Sequence, residues 1–93
     1  MALSSYARRV IKHAIKDNDV GKEIADVVDA GSGTLSVAAR THMDYMMADR
    51  VMADAICDKI DAGTALTGPE QAKLGLALND RVAATQIATE LSS

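Results

Sequence analysis

The stretch LSVAARTHMDYMMADRVMADAICDKIDA, residues 35–62, decides the fold that we predict for this chain. It contains no proline and no glycine, while Gly31, Gly33 and Gly63 lie just outside it. A run of this kind favours a single helix, which at 1.5 Å per residue would be about 42 Å long. A helix of that length needs neighbours along its whole apolar side. We therefore predict a long central helix over about residues 35–62.

The segments on either side also carry helical signals. Near the start, Tyr6, Val10 and Ala14 recur every four residues, and the polar run at 17–19 then interrupts this helix before a second one over 20–30. After Gly63, Thr67 and Glu70 have the spacing of a capping box, which opens a last helix that ends near residue 91.

These signals define the predicted fold. Strand-like alternation is absent from the pattern, and no internal repeat is evident. The two short helices at the start together match the length of each later helix. We predict an all-α protein, an antiparallel helical bundle of three arms with the first arm broken into two helices, in a single domain over residues 1–93.

Composition indicates a thin core. The chain has 93 residues and is 48% hydrophobic, but it contains neither Phe nor Trp, and alanine supplies much of the apolar content. Small domains of this kind are often supplemented by disulfides, metals or association, and the single cysteine, Cys57, excludes an internal disulfide. We therefore expect self-association or binding to a larger scaffold.

Hydropathy and charge bound the setting. No apolar run is long enough for a signal peptide or a membrane span, so we expect no membrane partner and a cytoplasmic location, or a place in a particle assembled there, such as a virion. The net charge of −3 is uneven: residues 1–42 carry six basic against five acidic side chains, and residues 43–93 carry four against eight. Four of the basic residues lie in the first helix.

His42 and Asp49 are the polar residues that stand out on the apolar side of the predicted central helix. They are seven positions apart, about 10 Å along the axis, so they cannot bond to each other directly. We predict that both are buried and that each pairs with a side chain of another helix, because an unpaired buried carboxylate is costly. The alternative interpretation is a ligand-binding pair, as in a small-ligand carrier.

Residues suited to catalysis or metal binding do not form a recognisable set. The two histidines lack the His-x-x-x-His and Glu-x-x-His spacings of metal sites, and Cys57 precedes an acidic residue instead of a basic one. We expect no enzyme activity, no catalytic residues, no cofactor and no metal.

Residues 20–40 resemble a helix-turn-helix motif. Glu23-Ile24-Ala25, Val28 and Thr34-Leu35 have its spacing, although Asp29 stands where the turn glycine usually lies. Beyond Arg40 the second helix becomes acidic, which would repel DNA phosphates. A DNA-binding regulator is therefore our second hypothesis, and we expect no sequence-specific nucleic-acid partner.

Our first hypothesis is a non-enzymatic structural subunit that assembles through helix-mediated protein–protein contacts. On a helical wheel, Met47 and Val51 fall among the charged positions of the central helix, where a monomer would leave them in water. The last helix has two apolar edges, and one neighbour can cover only one of them. The predicted interface comprises Met47, Val51, Arg50, Asp54, Leu76, Ile87 and Leu91.

Overall fold

The computed structural model describes residues 2–92, of which 78% lie in helices and none in a strand. The helices of this range are α1 (Ser5–Ile15), α2 (Asn18–Ala30), α3 (Val37–Met47), α4 (Arg50–Ala62), α5 (Gly68–Leu78) and α6 (Arg81–Ser92). The all-α class and the breaks near 17–19, 31–34 and 63–67 are confirmed.

The prediction of a long central helix is wrong. The stretch 35–62 is divided at Ala48 and Asp49 into α3 and α4, and the last predicted helix is divided at Asn79 and Asp80 into α5 and α6. The predicted bundle of antiparallel arms is therefore not confirmed, because every arm is broken and not only the first.

The breaks between α1 and α2, between α3 and α4, and between α5 and α6 have the same local structure. A residue in the left-handed region ends the first helix, and the aspartate that follows caps the second helix by accepting a hydrogen bond from the N–H three residues on. The left-handed residues are Lys16, Ala48 and Asn79, with φ of 64°, 54° and 55°. The capping pairs are Asp17 with Val20, Asp49 with Met52 and Asp80 with Ala83, at 3.0, 3.0 and 2.9 Å. We call each such turn an elbow and number the elbows in chain order.

The recurring elbow shows an internal repeat that our sequence analysis missed. The spacing between capping aspartates is 32 residues from Asp17 to Asp49 and 31 residues from Asp49 to Asp80. The helices form three pairs, α1–α2, α3–α4 and α5–α6, and each helix packs most closely against its partner in the pair. Polar N-caps also recur where the pairs begin, at Ser4, Ser36 and Thr67.

The core is built from equivalent positions of the three pairs. Buried apolar side chains recur in four sets, each 5% exposed or less apart from Leu78 at 6%: Ile11, Met43 and Leu74; Ile15, Met47 and Leu78; Ile24, Ile56 and Ile87; Val28, Ile60 and Leu91. Because each set points to the same centre, a single core is shared by the three pairs.

Hydrogen bonds between successive pairs close them into a ring. Glu23 in α2 accepts hydrogen bonds from the backbone N–H and the hydroxyl of Ser36, at 2.7 and 2.9 Å. Gln86, at the equivalent position of α6, accepts one from the backbone N–H of Ser4 at 3.1 Å. The third pair therefore contacts the first pair in the same way as the first pair contacts the second. The described part of the molecule measures 27 × 24 × 24 Å along its principal axes, so it is nearly equal in all directions.

In the first and second pairs, an arginine of the first helix is hydrogen-bonded to two aspartates of the second helix, an arrangement that we call the arginine clamp. Arg8 donates hydrogen bonds to Asp26 and Asp29, and Arg40 does the same to Asp58 and Asp61. In the third pair, the equivalent residues are the neutral Gln71, Thr89 and Ser92. Both members of the charge interaction are therefore replaced together, which avoids an unpaired charge.

The loop that follows α2 contacts the end of α4 and the loop that follows it through backbone atoms. Gly63 has a φ of 69°, and a Cβ built on it would lie 1.8 Å from the carbonyl oxygen of Gly31. The Gly33 N–H also donates to the Asp61 carbonyl at 2.9 Å. Only glycine fits at position 63, since both its φ and this approach exclude a side chain.

Candidate functional site

Large apolar side chains are exposed at the second and third elbows. Tyr45 and Leu76, three residues before the left-handed position, are 81% and 79% exposed. Val51 and Val82, three residues after it, are 81% and 58% exposed. The equivalent residues of the first elbow are the polar His13 and Asp19. Two of three elbows thus present an apolar pair to solvent.

A groove of about 950 Å³ lies between α1 and the third elbow. Its α1 side carries four basic side chains, Arg9, Lys12, His13 and Lys16, and we call it the basic groove. Its other lining residues are Tyr6, Val10, Asp17, Asn18, Leu78, Asn79 and Asp80. Within residues 2–92, no carboxylate forms an ion pair with any of the four basic side chains.

Tyr6 and Asp80 hold the two walls of the basic groove together. The Tyr6 hydroxyl donates a hydrogen bond to the Asp80 carboxylate, which also caps α6. This bond stabilises the protonated phenol and the ionised carboxylate, so it raises the pKa of Tyr6 and lowers the pKa of Asp80. It ties the first pair to the third elbow beside the groove.

His42 does not have the buried position that we predicted. Its side chain is 35% exposed, its Nδ1 lies 3.4 Å from the Ile15 carbonyl oxygen, and its Nε2 lies 3.9 Å from an Asp17 carboxylate oxygen. It thus spans the junction between the second pair and the first elbow. Val10 is the equivalent residue beside the third elbow, and its shorter side chain leaves room for the basic groove.

The prediction for Asp49 is also wrong. Its side chain is half-buried, and its partner is the backbone N–H of Met52, not a side chain of another helix. The error follows from the wheel, because residues on either side of a break do not share one helical phase. His42 and Asp49 serve separate junctions and do not form a ligand pair.

The same phase error affects the predicted interface. Met47, Ile87 and Leu91 are only 3%, 2% and 4% exposed, so they belong to the core and cannot contact a partner. Val51, Leu76 and Arg50 are exposed, and Asp54 is half-buried. Tyr45 and Val82 were not assigned to the interface. Aligning the chain on its capping aspartates would have placed Tyr45 with Leu76 and Val51 with Val82.

Cys57, considered as a nucleophile, is buried, and Arg40, considered as a DNA contact, is hydrogen-bonded within the protein. Cys57 is fully buried, and burial raises the pKa of its thiol to about 12, which disfavours the nucleophilic thiolate. Arg40 donates to Asp58 and Asp61 at 2.8 and 3.0 Å, and these hydrogen bonds raise its pKa. Its guanidinium is therefore engaged within the second pair instead of extending toward a DNA base.

Across residues 2–92, no group of three or more His, Cys, Asp or Glu side chains could hold a metal ion. None of the helices in this part of the chain has the length and apolar character needed to cross a membrane. No known protein family, curated protein or solved structure matches the chain. The functional argument therefore rests on the geometry of the elbows and of the basic groove.

Proposed function

We propose that this protein is a non-enzymatic assembly subunit that acts through protein–protein contacts made at its second and third elbows. The observation that supports this function is the exposure of Tyr45 and Val51 in one elbow and of Leu76 and Val82 in the next. A folded chain leaves single apolar residues in water without consequence, but recurrence at equivalent positions gives two similar contact surfaces.

Burial of these side chains can provide the association energy. Moving a Val or Leu side chain out of water contributes about 1.5–3 kcal/mol, so one elbow can supply a useful part of the energy of a contact. The charged residues beside it, Arg50 and Asp54, would lie at the rim, where they set orientation more than affinity. A subunit of this size with two such elbows suits a larger particle, such as a virion, assembled in the cytoplasm.

The alternative, a DNA-binding regulator that uses residues 20–40, has less support. Arg40 is the basic residue of that segment best placed to contact a base, and its guanidinium is held by two aspartates. A small-ligand carrier has less support for a similar reason, since His42 and Asp49 are engaged at separate junctions.

Sedimentation velocity over a range of concentrations tests the proposed function. We expect the wild type to form larger species as concentration rises, and Val51→Ser combined with Val82→Ser to shift the chain toward monomer. Asp19→Ser changes the equivalent position of the first elbow and is the matched control, which should associate like the wild type. A wild type that stays monomeric at every concentration would refute the proposal.

A further inference from the structure

The four basic side chains of the basic groove lie together on one side of α1. Arg9 and Lys12 are three residues apart on α1, and His13 lies four residues after Arg9, so these side chains are neighbours on the helix surface, with Lys16 at the C-cap that follows. Like charges at this spacing destabilise a helix, and no carboxylate within residues 2–92 pairs with them. An acidic group bound in the groove would relieve this repulsion.

The cluster is particular to the first pair. The residues equivalent to these four are Thr41, Asp44, Tyr45 and Ala48 in the second pair and Ala72, Gly75, Leu76 and Asn79 in the third. The repeated fold therefore does not require basic residues at these positions. Their concentration beside a groove of about 950 Å³ favours a role in binding.

The remaining lining favours an occupant that is partly apolar. Val10 and Leu78 contribute aliphatic surface, and Tyr6 adds an aromatic ring. Asp17 and Asp80 place two carboxylates at the groove, and the chain has a net charge of −3. The two carboxylates oppose a phosphate polymer, which carries a charge on every unit and binds by neutralisation of its backbone, more than they oppose an occupant that is mostly apolar.

The second elbow of another copy has the matching chemistry. Tyr45 and Val51 are both 81% exposed, which supplies the apolar part. Asp54 follows Val51 by three residues, which places it on the same side of α4, whereas Asp44 lies 3.8 Å from Arg50 and is paired within the elbow. The third elbow cannot take this role as easily, because its own Asn79 and Asp80 form a wall of the groove.

We infer that the second elbow of one copy docks into the basic groove of the next copy. This inference rests on the proposed function and adds the pairing of surfaces to it. The two surfaces differ, so the contact is head-to-tail, and repetition of it produces a closed ring or an open filament instead of a symmetric dimer. Attraction between the basic side chains of the groove and Asp54 beside the elbow sets the orientation.

Mixing two variants of the full chain tests this pairing. Arg9→Glu alters the groove and leaves the elbow intact, whereas Val51→Asp alters the elbow and leaves the groove intact. We expect each variant alone to associate at least tenfold more weakly than the wild type. An equimolar mixture should associate more strongly than either variant alone, because the intact second elbow of Arg9→Glu can dock into the intact basic groove of Val51→Asp. Sedimentation velocity measures all three samples.

Matched variants keep the result interpretable. Lys22→Glu makes the same charge change at an exposed position outside the groove and should associate like the wild type. Lys16→Glu and Tyr45→Asp repeat the experiment if either first variant loses its helical circular dichroism. A mixture that stays monomeric while the wild type assembles would overturn the pairing and leave the proposed function intact. A wild type that never assembles would overturn both.

A separate experiment tests whether the basic groove binds a nucleic acid instead of a second copy of the chain. We expect a fluorescent single-stranded oligonucleotide to show no binding that depends on Arg9. Binding that Arg9→Glu abolishes, and that prevents wild-type assembly, would instead assign the groove to a phosphate polymer and overturn the inference.

Discussion

Gln86 accepts a hydrogen bond from the backbone N–H of Ser4, which lies 82 residues earlier in the chain, at 3.1 Å. Glu23 makes the same contact with Ser36 within the following junction. The last helix pair therefore meets the first through the contact that joins the first to the second. This closure encloses one core shared by the three pairs.

Replacing Ala48 by glycine should stabilise the protein. A left-handed φ of 54° is unfavourable for alanine, and glycine adopts it without steric cost, so we expect a gain of up to about 1 kcal/mol. Ala55→Gly, within α4, should instead destabilise by about 1 kcal/mol. Urea unfolding measures both. Equal losses at the two positions would indicate that residues 35–62 form one continuous helix.

Asp49→Ala should cost about 1 kcal/mol of stability, because it removes the cap of α4. Asp17→Ala should cost a similar amount, because Asp17 caps α2 in the same way. Asp54→Ala, with no cap to remove, should change the unfolding free energy by less than about 0.5 kcal/mol. A loss of several kcal/mol for Asp49→Ala alone would support a buried ion pair instead of a cap.

Met47→Asp and Val51→Asp should differ sharply, although the two residues are only four positions apart. Met47 is 3% exposed, so an aspartate there would bury a carboxylate and unfold the chain. Val51 is 81% exposed, and its replacement should leave the helical content unchanged. Far-UV circular dichroism compares the two. Equal helicity in both variants would contradict the assigned core.

Glu70 should make stability sensitive to acid. Burial raises the pKa of its carboxyl, but hydrogen bonds from Lys59 and Thr67 outweigh burial, so the pKa lies below the usual 4.5. The ionised carboxylate therefore stabilises the fold above the usual pKa, and this contribution is lost as pH falls through the lowered value.

Glu70→Gln tests this dependence. The variant should show a weaker fall in unfolding free energy than the wild type below pH 4.5, measured by urea unfolding at a series of pH values. Lys59→Met removes a cation 2.7 Å from the carboxylate and should move the loss of stability to higher pH. Identical pH profiles for the three proteins would exclude a role for this pair.

The sequence was sufficient for the helical class and for the breaks marked by glycine or by a run of polar residues. The break at Ala48 lacked such a mark, and the polar run Asn79-Asp80-Arg81 at the third elbow was overlooked. Alanine has the highest helix propensity, and its left-handed conformation at position 48 is imposed by packing and by the cap that follows. The 31–32-residue spacing of the capping aspartates was the available signal, together with identities at the same offset such as Ser4 with Ser36 and Arg8 with Arg40, and our sequence analysis missed both.

The missed breaks also explain the errors in the candidate site. A wheel drawn through Ala48 carries the phase of α4 back into α3, where it no longer applies, so buried Met47 was assigned to solvent and exposed Tyr45 to the core. The basic groove could not be derived from the sequence for another reason. Its walls come from α1 and the third elbow, more than 60 residues apart, and only the closure of the ring brings them together.

The most direct test of assembly through the elbows is the concentration dependence of the backbone amide NMR spectrum. As concentration rises, we expect shifts or broadening at the amides around Tyr45, Val51 and Val82, and little change at the loops on either side of Gly31 and Gly63. The same spectra of Val51→Ser with Val82→Ser should change much less. Spectra of the wild type that are independent of concentration, or changes confined to the loops, would contradict the account.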